Sequence, residues 1–271
     1  MVSLLPVLHQ ECARFQARFG VQPLGVVEIG SFARGEAVPY SDHDLRLIIY
    51  CADPMLVLDE HSWTDGAPDA TTAIDWRDLN HRQDLSFGLT NLAWVEHMLL
   101  ASRYPLVDHT CLYQGRILLD DSAEIATFRA RYHGVRFANI VPDYLRQVDW
   151  RVTSELPGEL AALQERLDHH KHAVPAVHTC YRIVRDLANI AGYQASGVYA
   201  GDPDAIAHYT REHWLWFEPT FDTLRAYKTD ERLRRMVFDD IAQGQPERIR
   251  SVQLCAQATT NLWKQCQAQY R

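Results

Sequence analysis

The chain has 271 residues, 47% of them hydrophobic, enough for one large domain or two ordinary ones with a sizeable core. Asp and Glu number 35 against 27 Lys and Arg, and lysine occurs only at Lys171, Lys228 and Lys264, which argues against a general nucleic-acid binder with its basic footprint. The six cysteines show no C-x-x-C spacing, so a zinc site or disulfide framework gains no support and a reduced, cytoplasmic protein is the plain expectation.

The first residues, MVSLLPVLHQECARF, lack a basic leader and their apolar run is interrupted by Pro6. No later run approaches the roughly 20 apolar residues of a membrane helix, so neither export nor a membrane span is expected. Val7, Leu8, Cys12, Phe15 and Phe19 recur at helical spacing, and Gly20 ends that helix. GVVEI at 25–29 and LRLIIY at 45–50 are short, β-branched and read as strands. A loop rich in Asp, Pro and Gly covers 53–70, and further strands are predicted at 72–78 and 84–90. Asn91 is placed to cap a helix, NLAWVEHMLLAS, that ends before Arg103-Tyr104-Pro105.

RILLD at 116–120 is the last strand. Beyond it helices are predicted at 123–133, 143–170, 174–192, 203–215, 219–227, 230–242 and 246–269. The breaks between them fall at Pro157-Gly158, Pro175, 197–203, Pro219 and 244–246. The composition shift near residue 122 divides the chain into an α/β domain with a mixed sheet, residues 1–122, and an all-α helical-bundle domain, residues 123–271.

Between the first two strands lies GSFARGEAVPYSDHDL, residues 30–45. Alternate residues of a strand share a face, so Asp42 and Asp44 project together with Cα atoms roughly 7 Å apart. Two anions that close are costly unless a cation lies between them, and hard oxygen ligands suit Mg²⁺, which also takes phosphate oxygens. Gly30 allows a tight bend and close approach to a ligand, while Ser31 offers a hydroxyl and an amide. The following FAR segment starts a helix whose N-terminus favours phosphate, and Arg34 adds a positive group. Ser41 caps the strand entrance or bonds a phosphate. Alone, Asp-x-Asp reads as a loop-to-strand junction and Gly-Ser as a turn; their combination between two strands is far more restrictive.

That combination resembles the signature of the polymerase-beta-like nucleotidyltransferase superfamily, with Gly30, Ser31, Asp42 and Asp44 matching it. The wording GSFARGEA and SDHDLRLII is similar to the minimal nucleotidyltransferases and to antibiotic adenylyltransferases, including those acting on aminoglycosides. His43 departs from the pattern, which usually has an apolar residue there; it faces away from the carboxylates, so a packing difference is expected. The resemblance implies a third carboxylate from a neighbouring strand. Asp84 in QDLSFGLT is the choice, because Leu85, Phe87 and Leu89 would face the core and Asp84 and Ser86 the opposite side. Asp75 and Asp78 are its rivals if IDWRDL is a strand. RILLDDS resembles the family's closing strand, and HTCYRIVRDLANIAGY resembles the central helix of the antibiotic-modifying members.

The activity so implied is attack of an acceptor hydroxyl on the α-phosphorus of a nucleoside triphosphate, with release of pyrophosphate. Asp42, Asp44 and Asp84 would be the catalytic carboxylates and ligands of two Mg²⁺ ions, and Asp84 a candidate base. Gly30, Ser31, Arg34 and Ser41 would hold the phosphates. The leading expectation is transfer of AMP from ATP, or of another nucleotide from its triphosphate, to a small molecule such as an aminoglycoside, an antibiotic-resistance chemistry. The expected partners are thus a nucleoside triphosphate and a small acceptor, with no nucleic acid and no membrane; no feature of the sequence specifies an oligomeric state. The alternatives are transfer to a protein side chain or a tRNA end, as in related toxin–antitoxin systems, and a nucleotide-binding module without catalysis.

Three clusters in the helical half carry further readings. His178, Arg182 and Arg185 lie one to two turns apart, either reaching the triphosphate, with Arg182 as a nucleotide-binding residue, or standing as outward arginines on a packing helix. REHWLWFEPTFD gathers Glu212, Trp214, Trp216, Glu218 and Asp222, carboxylates and ring faces suited to a polycationic sugar, or else the end of an amphipathic helix with core tryptophans. His169, His170 and His172 lack the i, i+4 spacing of a helical metal site and read as a solvated run.

Overall fold

A computed structural model describes residues 5–35, 37, 43–52, 85–100, 112, 114–132, 139–163, 175–196 and 203–270. The chain divides into two compact units, Met1–Ile140 and Val141–Arg271.

The first unit is built on a mixed four-stranded sheet in the order β3-β2-β1-β4. Its strands are β1 (Pro23–Ile29), β2 (His43–Ile49), β3 (Leu85–Asn91) and β4 (Arg116–Leu119). β1 runs antiparallel to β2 and β4, whereas β3 runs parallel to β2. Helix α1 (Leu5–Phe19) precedes the sheet and buries Val7, Leu8, Cys12 and Phe15 on one face. Gly20, at a left-handed φ of 68°, ends it by donating its N–H to the Gln16 carbonyl at 2.8 Å, a conformation glycine adopts without a Cβ penalty.

Strand alternation sorts the sheet into two faces. Leu45, Leu47 and Ile49 of β2, Val26 of β1, Leu89 of β3 and Leu119 of β4 join Leu8, Cys12 and Phe15 in one core. Asp44, Arg46 and Ile48 alternate with these and lie on the other face. At the far end of β3, buried Asn91 caps α3 (Leu92–Leu100) as anticipated: its Oδ1 accepts from the Ala93 N–H at 3.0 Å. The same side chain spans to the end of β2, accepting from the Cys51 N–H at 3.0 Å and donating to the Cys51 carbonyl at 2.6 Å. A one-turn α2 (Gly30–Ala33) links β1 towards β2, and α4 (Glu124–Arg131) contacts β1. The composition shift after residue 122 therefore precedes a helix that belongs to the first unit. The loop predicted at 53–70 and the strand at 72–78 lie outside the described residues.

The second unit is helical. Helix α5 (Ile140–Trp150) leads into a π turn, Arg151–Glu155, and then α6 (Leu156–Ala162). The sequence places a break at Pro157-Gly158; the structure instead keeps the chain helical through a widened turn just upstream. Proline has no N–H to return to the preceding turn and its ring crowds the carbonyl there. The strain is relieved one turn earlier, where the Leu156 N–H bonds the Arg151 carbonyl in i→i+5 register.

The remaining helices are α7 (Pro175–Ser196), α8 (Pro203–His213), α9 (Glu218–Thr229), α10 (Glu231–Ala242) and α11 (Pro246–Gln269), with a 3₁₀ turn at Leu215–Phe217. α7 is the central one: it contacts α6, α8, α9 and α11 and buries residues around most of its circumference, from Val177 and Tyr181 through Leu187 to Tyr193. Among the described residues no helix is long and apolar enough to cross a membrane.

Candidate functional site

The Gly-Ser turn closes directly onto the second strand. Gly30 has φ +73°, and its missing side chain leaves the space that the Asp44 carboxylate fills. A Cβ at residue 30 would lie 3.1 Å from Asp44 Cγ and overlap its Oδ2. Ile29 is the register partner of Asp44 across the antiparallel ladder, so β1 and β2 hold the turn and the carboxylate together through main-chain bonds. On its other side Asp44 pairs with Ser86 of β3. Ser31, Arg34 and Asp44 are all half-buried.

His43 accounts for more than the packing difference expected of it. The residue is 5% exposed, and its Nδ1 lies 2.8 Å from Oε1 of Glu28, which is fully buried in β1. Its ring stacks on Phe32 of the Gly-Ser turn, with centroids 3.6 Å apart and planes at 18°. Arg116 of β4 holds the second oxygen of the same carboxylate, donating from Nε at 2.9 Å and Nη2 at 2.6 Å. Burial pushes the Glu28 carboxyl up, but the His43 hydrogen bond and the Arg116 guanidinium outweigh it and hold the group below its ordinary value. Three strands and the turn are thus tied together at one buried anion. The signal for this in the sequence is Glu28 itself, a lone charge inside the apolar run VVEI, because a buried charge demands partners.

Arg46 follows Asp44 on the same face. Its Nε donates to Thr90 Oγ1 at 3.1 Å, and its Nη2 donates to the Leu89 carbonyl. The guanidinium lies where a side chain at Gly88 would stand, so Gly88 keeps this place open on β3. Sequence reasoning gave Arg46 no role, because nothing local marks its cross-strand partners.

Asp42, Ser41 and Asp84, with Asp75 and Asp78, lie outside the described residues, as do His169, His170 and His172. Among the described residues no group of three or more His, Cys, Asp and Glu side chains is placed to hold a metal ion. The described member of the expected set, Asp44, is a hard oxygen donor seated against a side-chain-free glycine, which suits Mg²⁺.

In the helical unit, Arg182 and Arg185 take part in a buried charge network. Arg151, 5% exposed and on the π turn, pairs with Asp186, which is 1% exposed, and Arg185 donates to the other oxygen of that carboxylate at 3.0 Å. Arg182 Nη1 lies 3.3 Å from Glu155 Oε1. Burial, and then the neighbouring Arg151 charge, lower the Arg182 pKa against the pull of Glu155.

The acceptor-binding candidates separate. Trp214 is buried and meets Tyr209 edge-on at 5.0 Å, as a core tryptophan does, whereas Trp216 is 49% exposed. Glu212 is exposed beside His208, and Glu218 is held by Arg211 at 2.6 Å.

Comparison with protein-family models and with curated proteins finds no match for this chain.

Proposed function

We propose that the chain is a Mg²⁺-dependent nucleotidyltransferase that moves a nucleoside monophosphate, AMP in the first instance, from its triphosphate to a hydroxyl of a small-molecule acceptor of the aminoglycoside type. The observation that carries this reading is the seat of Asp44 against Gly30, a strand carboxylate packed on the left-handed glycine of a Gly-Ser turn. The parallel pairing of β2 with β3 adds to it: Asp42 and Asp84 are each one peptide bond from His43 and Leu85, which are register partners.

In this reading Asp42, Asp44 and Asp84 hold Mg²⁺ through carboxylate oxygens. The ion, when bound, neutralises phosphate charge and eases deprotonation of the acceptor. Gly30 and Ser31 present backbone and hydroxyl groups to the phosphates, and Arg34 and Ser41 supply further contacts. The acceptor oxygen forms a bond to the α-phosphorus as the bond from that phosphorus to the β-bridging oxygen breaks. Pyrophosphate leaves with the electron pair, and the hydroxyl proton passes to Asp84. Orientation and preorganised charge supply most of the acceleration.

The test is pyrophosphate release with Mg²⁺, each nucleoside triphosphate in turn, and a panel of aminoglycosides, protein and tRNA acceptors. Release with an aminoglycoside, reduced at least about a hundredfold in Asp44→Asn with the fold intact, supports the proposal. Release only with protein or tRNA replaces the acceptor class, and an Asp44→Asn protein of full activity overturns the mechanism.

A further inference from the structure

The helical unit contains a pocket of about 530 Å³ between the α5–π segment and α11. That volume lies within the usual range for small-molecule sites. Helical spacing explains its lining. Leu145, Asp149 and Thr153 recur every fourth residue on the first segment with Trp150 beside them, and Trp263 on α11 is followed seven residues later by Tyr270, which caps the end of that helix two turns along.

Three features of the lining point to one ligand chemistry. Trp150, Trp263 and Tyr270 supply three aromatic rings, of which Trp263 is nearly buried at 4% exposed, whereas Trp150 is 56% exposed although its neighbours on the inner side of α5, Tyr144 and Val148, are 4% and 0% exposed. A large indole left in solvent at the mouth of a pocket is a ready contact surface. Asp149, next to it, makes no side-chain hydrogen bond or ion pair among the described residues; its main-chain carbonyl accepts from Thr153 Oγ1 at 2.7 Å. Among the described residues the one basic group in the lining is Arg146, which is largely exposed and paired with Asp143 one turn earlier, and Asp149 is the carboxylate left without a side-chain partner.

We infer that this pocket binds an organic cation, a quaternary or protonated amine on an apolar skeleton, with the charge over the indole and phenol rings and Asp149 as counter-ion. Aromatic faces attract such cations electrostatically, and an apolar skeleton gains by leaving water in the same step. All the residues concerned belong to Val141–Arg271, so the inference stands independently of nucleotidyl transfer.

The probe is choline, a quaternary ammonium on a two-carbon alcohol, titrated into the full chain and followed by ligand-observed NMR. Its neutral isostere 3,3-dimethylbutan-1-ol and the anion benzoate are run beside it. Saturable choline binding in the millimolar range or tighter is expected, with the alcohol clearly weaker. Asp149→Asn and Trp150→Leu should each weaken it by roughly three- to thirty-fold. The exposure of Trp150 makes its replacement compatible with folding, which circular dichroism verifies; should Asp149→Asn fail to fold, Trp150→Leu carries the test. Choline that does not saturate, an alcohol that binds equally well, benzoate binding in its place, or variants with unchanged affinity would each overturn the inference.

Discussion

Replacing Gly30 with alanine separates backbone strain from damage to the candidate site. A left-handed conformation costs a non-glycine residue about 1–2 kcal/mol. For a cooperative unit the size of Met1–Ile140 that is a fall in Tm of roughly 3–7 °C. The new Cβ also overlaps Asp44 Oδ2, so the carboxylate must retreat by about an ångström, a displacement worth on the order of a hundredfold in rate at a reacting centre. Gly35→Ala is the matched control: Gly35 has φ +69°, yet no atom of the described residues lies within 4 Å of a Cβ built there. Both variants should lose similar stability by thermal melting. Only Gly30→Ala should lose nucleotidyl transfer in the pyrophosphate assay. Equal activity in the two variants, with equal falls in Tm, would remove Asp44 from the reacting site.

Two further outcomes test the buried chemistry. Glu28→Gln removes the fully buried charge held by His43 and by the largely exposed Arg116 guanidinium, and should cost about 2 kcal/mol in urea unfolding at pH 7. Because the folded Glu28 carboxyl lies below its ordinary 4.5, its contribution is present above that pH and lost as pH falls through the folded value. The wild type should therefore lose stability more steeply than Glu28→Gln below pH 4.5, and parallel profiles would refute the assignment. Burial pushes the Cys180 thiol up to about 12 and those of Cys12, Cys255 and Cys266 to about 11. At pH 8 these four should react with a disulfide reagent only as fast as the chain unfolds, and rapid modification of any of them in the native protein would contradict their placement.

Local chemistry explains which parts of the fold were legible in the sequence. Gly20 ends α1 and Asn91 caps α3 because each device needs only residues a turn away, and α11 begins at Pro246, a residue suited to a first helical turn. The π turn was hidden because its cause, Pro157, lies beyond the residues it reshapes. Trp214 and Trp216 read alike in sequence, yet the 3₁₀ turn at Leu215–Phe217 sends one into the core and the other to solvent. The partners of Glu28 were the least legible, since Arg116 lies 88 residues away and only sheet pairing brings it near. Gly30 and Asp44 could be paired from sequence as members of one motif, but their contact depends on the Ile29–Asp44 register.

That register is where the buried network and the candidate site meet. His43 and Asp44 are neighbours in β2 and therefore point to opposite faces, His43 to Glu28 and Asp44 to Gly30. A slip of one residue would exchange them, bringing Asp44 onto the face of the fully buried Glu28. Two carboxylates in that water-free position repel each other, and Glu28 would forfeit its bond to His43, while Arg116 alone would be left to compensate two anions. An apolar pair at 28 and 43 would avoid the desolvation of a buried ion but would not penalise the slip in this way. The Glu28–His43–Arg116 cluster thus acts as a register lock, and what it secures is the presentation of Asp44 beside the Gly-Ser turn.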